Sequence, residues 1–179
     1  MRRVNAVLAM AILVMFLIHA VLGALQLIGF GTVTMRAFAW IMMALVIVHV
    51  VISTVLTVKS IMTGRETGAF YFRENRLFWA RRISGFAVMV LLFFHVAAFS
   101  YTDAGVYRLA WFTTARLITQ LLLVASIGVH VISNIKPMLI SFGIKSLKER
   151  APEILVALSF ILLFAAAAFI IYYIRWNGV

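Results

Sequence analysis

The sequence predicts an all-α integral membrane protein: a bundle of five transmembrane helices with its N-terminus in the cytoplasm. Three observations lead there. Of 179 residues, 65% are hydrophobic and 12% charged, against about 45–50% and about 25% in a soluble domain. The apolar residues gather into five runs near the ~20 residues a helix needs to cross a hydrocarbon core. The basic residues between the runs are also unevenly shared between the two sides. Backbone groups in lipid must pair within a helix or a closed barrel, and these runs lack the alternation of barrel strands.

The spans are expected at about residues 4–28, 37–58, 83–100, 109–135 and 154–174, in a single transmembrane domain. Arg2 and Arg3 ahead of the first run also fit a signal peptide. The run exceeds the ~7–15 apolar residues of such a segment, so a retained helix is expected. Residues 29–36 hold a Gly-Phe-Gly turn and residues 101–108 a Thr-Asp-Ala-Gly turn. These short connections make helices one and two, and three and four, antiparallel neighbours. Residues 59–82 form a longer, basic and aromatic connection suited to an interfacial segment or a docked partner. Residues 136–153 carry Pro137 and a short amphipathic stretch.

Twelve of the sixteen Lys and Arg residues lie before the first span, between the second and third, or between the fourth and fifth. Arg36, Arg108 and Arg175 fall on the other side, and Arg116 is read two turns inside the fourth span. The positive-inside rule then places the N-terminus and both long connections in the cytoplasm, in a multi-pass protein of the cell's inner membrane. The net charge of +11 thus reports topology, and no nucleic-acid partner is expected. The absence of cysteine excludes disulfides, iron–sulfur ligation and covalent haem attachment on this chain.

Ionisable side chains at membrane depth are functional candidates by default, and all four histidines are there: His19, His49, His95 and His130, one on each of the first four helices. Six-coordinate haem iron takes one imidazole from each face, so two histidines on two helices clamp one haem. Four histidines therefore predict two b-type haems. At about 1.5 Å per residue, His19 lies about 24 Å from Arg3 and His95 about 20 Å from Arg82, whereas His49 is about 15 Å from Lys59 and His130 about 9 Å from Lys136. Depth divides them into an outer pair, His19 and His95, and an inner pair, His49 and His130.

Other residues accompany them. Gly23, Ser53, Ser126, Ser133 and Asn134 flank the histidines at helical spacing, as small packing residues also do. Gln26 follows His19 by two turns and could bond a quinone, a haem carboxylate or a neighbouring helix. Arg116 could meet haem propionates on the outer side or snorkel to the surface; Arg81, Arg82 and Lys136 could serve an inner haem. Asp103, the one outer carboxylate, could pass protons or simply make its turn.

Five helices, an inside N-terminus and one histidine on each of four helices resemble the dihaem membrane anchor of succinate:quinone oxidoreductases, the succinate dehydrogenases and fumarate reductases. The resemblance covers nearly the whole chain as a pattern rather than a word-for-word motif. It implies pairing of the first histidine with the third and the second with the fourth, a membrane quinone as substrate, and FAD-containing and iron–sulfur subunits docked on the cytoplasmic face. The chain departs from some members in having no carboxylate inside a span, and it is compact for the family. Two other classes remain open. Another respiratory cytochrome b would commonly place two histidines on one helix, and a histidine-using transporter would usually add carboxylates or broken helices.

Overall fold

A computed structural model describes residues 1–30, 35–68, 75–99, 102–103, 106–107, 112–142 and 150–177. Among these residues the protein is helical apart from one two-residue ladder. The helices are α1 (Arg2–Leu27), α2 (Arg36–Glu66), α3 (Arg76–Phe99), α4 (Thr114–Ser141) and α5 (Ala151–Asn177). All five are long and apolar enough to cross a membrane. β1 (Thr102–Asp103) pairs antiparallel with β2 (Val106–Tyr107), setting Asp103 opposite Val106. The Phe70–Tyr71–Phe72 cluster, Arg73, Glu74, Arg108, Trp111, Lys145 and Lys148 lie outside the described residues.

The helices overrun the expected spans because charge marks where lipid ends, not where a helix ends. Residues 59–66 contain no proline, so α2 continues through them to Glu66, and Arg65 in its last turn suits the negative end of the helix dipole. α3 likewise begins at Arg76 instead of residue 83. The connection expected at 59–82 is therefore mostly helix. Pro152 enters α5 in its first turn, where a missing N–H costs nothing. α1 stops in a Schellman turn: Phe30 N–H donates to Leu25 O and Gly29 N–H to Gln26 O, with Gly29 in the left-handed region at φ +96°.

α4 corrects the sequence reading at both ends. It starts at Thr114, with the Thr113 hydroxyl capping the Arg116 N–H at 3.4 Å. Arg116 thus sits in the first turn rather than two turns deep. At the other end α4 runs to Ser141 with Pro137 inside it. A proline at 137 removes the N–H that would bond the carbonyl of Ser133. That carbonyl accepts instead from Arg81 Nε at 2.8 Å, so a side chain of α3 completes the ladder of α4. Arg81→Leu should strand this carbonyl and destabilise the protein by about 1–3 kcal/mol. With Pro137→Ala in the background most of that cost should vanish, because residue 137 regains its N–H. A double-mutant cycle of unfolding in detergent measures this coupling, and equal costs in both backgrounds would reject it.

Packing joins two antiparallel hairpins, α1–α2 and α3–α4, through α5. The helix interfaces are α3 with α4, α1 with α5, α4 with α5, α1 with α2, and a smaller one of α1 with α4. α2 buries no residue and shares no extended interface with α3 or α4. The α4–α5 seam is close, since a Cβ at Gly128 would stand 3.4 Å from Leu162. Buried Ile135 and Leu139 of α4 meet Met10 and Leu13 of α1 and Ile154 and Leu155 of α5. At the opposite end Phe99, buried Phe112, Phe169 and Tyr172 form an aromatic cluster. There Arg175 donates to the Ile28 carbonyl at 2.6 Å, and Tyr173 shares a 2.8 Å hydrogen bond with Thr114. Large apolar side chains such as Phe93, Phe160 and Leu163 point outward, as lipid-facing positions require.

Candidate functional site: two histidine pairs

The four histidines stand one on each of α1 to α4, and the structure brings two of them, on different hairpins, into contact. His19 of α1 and His95 of α3 stand with ring centroids 6.1 Å apart and planes at 78°. Imidazole nitrogens bind metals at ~2 Å, which places two rings sharing one metal at about this separation. His49 of α2 and His130 of α4, the second pair expected from depth, each contact a serine instead, Ser53 and Ser84. Among the described residues no three His, Asp or Glu side chains converge.

Each pair contains one pre-oriented ring, supplied by the α3–α4 hairpin. His95 Nδ1–H donates to Gln120 Oε1 at 2.7 Å; a carbonyl oxygen only accepts, so the ring proton is on Nδ1 and Nε2 presents its lone pair. His130 Nδ1 lies 3.3 Å from Ser84 Oγ, whose own proton goes to the Ala80 carbonyl at 2.6 Å. Ser84 therefore accepts from His130, and this ring too leaves Nε2 bare. Gly85 lets the His130 ring lie against the α3 backbone: a Cβ there would come within 3.1 Å of Cε1 and 3.3 Å of Nδ1. His95 is backed by Phe99, with ring centroids 4.9 Å apart.

The rings from α1 and α2 are held differently. Nδ1 of His19 and Nδ1 of His49 are buried without a hydrogen-bond partner, an arrangement that costs free energy unless something completes it. His49 Nε2 faces Ser53 Oγ at 3.4 Å, while Ser53 donates to Asn5 Oδ1 at 3.2 Å. The His49 ring thus carries its proton on Nε2, and its lone pair is at the unpartnered Nδ1. The outer pair is the readier of the two to hold a metal.

The other expected residues fall at the ends of the bundle. Arg82 is half-buried; it stacks on Phe78 at 3.4 Å, donates through Nη1 to the Phe78 carbonyl at 3.1 Å, and keeps a buried Nε with no partner. Arg81 is instead occupied by Ser133. Lys136 is exposed, Gln26 is exposed in the last turn of α1, and Arg116 is half-buried at the other end of α4. Asn134 bonds the His130 carbonyl at 2.7 Å and Ser133 bonds it at 3.1 Å, so both support the α4 backbone rather than a ligand. A cavity of about 660 Å³ opens where α1 starts and α2 ends, lined by Arg2, Lys59, Thr63, Phe78 and Trp79.

Sequence reasoning missed Ser84, Gly85 and Gln120. Ser84 and Gly85 sit beside Arg81 and Arg82, at what was read as a span's edge. Gln120 did carry a signal, since an amide inside an apolar span is costly unless paired. No family model, curated protein or solved structure matches this chain.

Proposed function

We propose that the chain is a dihaem cytochrome b: the membrane anchor of a respiratory oxidoreductase of the succinate:quinone type, with its N-terminus in the cytoplasm and its helices in the cell's inner membrane. The observation that carries this reading is the pairing of His19 and His95 across the two hairpins, with ring centroids 6.1 Å apart. The donor set suits haem: His19 and His95 stand opposed, and the buried Nδ1 atoms of His19 and His49 await completion. When bound, haem would supply a one-electron carrier whose two axial positions are both taken by protein.

The chain's own residues then have separable tasks. His19 and His95 would hold the outer haem, His49 and His130 the inner one. Gln120 and Ser84 orient the α3–α4 ligands, and Gly85 gives the His130 ring room. Arg116 at the outer end, and Arg82 and Lys136 at the inner end, would meet propionates; the buried, unpartnered Nε of Arg82 is a donor in want of an acceptor. Gln26 at the outer end would face the quinone or a haem carboxylate. The basic and aromatic inner end, around Arg2, Lys59, Phe78 and Trp79, suits docked flavoprotein and iron–sulfur subunits.

Purification from native membranes tests the reading in one preparation. Pyridine haemochrome analysis should give two protohaems per chain with low-spin spectra, and flavin and iron–sulfur subunits should accompany it. A colourless chain, or one carrying covalently bound haem, would sink it.

A further inference from the structure

Gln120 is the most completely buried polar side chain described: its exposure is 0%, on a helix that otherwise buries Leu123, Gly128, Ile135 and Leu139. A buried amide in an apolar span must be paired, and its carbonyl oxygen finds one donor, His95 Nδ1–H, at 2.7 Å. The opposite end of the same amide reaches only Thr119 Oγ1, at 3.5 Å. The two ends of an amide dictate opposite tautomers for a histidine beside them. With the oxygen toward the ring, Nδ1 keeps its proton and Nε2 is open to a metal. With the NH₂ toward the ring, Nδ1 becomes the acceptor and Nε2 is blocked.

We propose, resting on the dihaem reading above, that Gln120 is a positioning residue for the outer site, fixing His95 in its metal-binding tautomer and setting the electron-donating strength of that ligand. A short hydrogen bond accepted from Nδ1–H pushes electron density onto the ring and stabilises the more oxidised metal. At the inner site His130 has a longer 3.3 Å contact with a hydroxyl already donating to Ala80, beside the backbone of Arg81. Gln120 therefore lowers the potential of the outer site.

The test uses two readouts. In haem-free full-length chain labelled with ¹⁵N-histidine, His95 should appear as the Nδ1–H tautomer, and Gln120→Leu should move it toward Nε2–H. Gln120→Glu, which retains a carbonyl oxygen at the same reach, should preserve the wild-type tautomer. In the haem-loaded chain, redox titration should show the outer haem of Gln120→Leu shifted upward and the inner haem unmoved. An unchanged tautomer in Gln120→Leu overturns the proposal, as does an equal shift of both haems. A wild-type chain that never takes up haem overturns the reading beneath it, while the haem-free spectra still report on the tautomer; loss of the Nδ1–H form in Gln120→Glu also rejects Gln120 as its cause.

Discussion

On the dihaem reading, replacing His19 or His95 with alanine should halve the haem content of the purified chain and leave the same residual spectrum in both variants. His49→Ala and His130→Ala should also leave one haem per chain, with the complementary spectrum. The reason is geometric: two ligands of one iron must oppose each other, and the 6.1 Å separation of the His19 and His95 rings joins α1 to α3, which on the dihaem reading leaves His49 and His130 for the second iron. His95→Ala should also reduce stability more than His19→Ala. It strands a fully buried Gln120, at about 1–3 kcal/mol for an orphaned buried group. His19 Nδ1 has no partner to lose. A pattern in which His19→Ala resembled His49→Ala would reject the pairing.

The second large effect is expected at Gly85. A Cβ there would lie 3.1 Å from His130 Cε1 and 3.3 Å from Nδ1, so alanine forces the ring to yield by a few tenths of an ångström. The branched methyls of Gly85→Val would occupy the space of the imidazole itself, and overpacking a tight contact costs about 1–3 kcal/mol even where neighbours can shift. Gly85→Val should therefore lose the inner haem, dropping from two haems per chain to one, while the outer spectrum stays as in the wild type. Gly85→Ala should keep both and perturb only the inner one. Two unaltered haems in Gly85→Val, or loss of the outer one, would show that His130 is not a ligand.

Hydropathy made the five helices legible because lipid forbids any other local structure for long apolar runs. Their ends were not legible. The stop of α2 at Glu66 and the start of α3 at Arg76 depend on helix propensity and capping outside the membrane, where charge is no obstacle. The histidines stood out because each is an expensive residue in lipid. Their supports did not: Ser84 and Gly85 are ordinary in any helix, and only the register of α3 on α4 puts them under His130. Arg81 illustrates the same limit. Its charge suggested a propionate ligand, but its place opposite the carbonyl that Pro137 leaves unpaired gives it a backbone to mend.

α2 leans on α1 and buries nothing, which on the proposed reading sets an order of maturation. Four helices brace one another as soon as they are inserted, and the fifth waits on a single neighbour. A flat pigment slipping in from the side would be mortar laid between two leaves of a wall already standing. Its arrival would then be the last act of construction, and α2 the leaf that it sets.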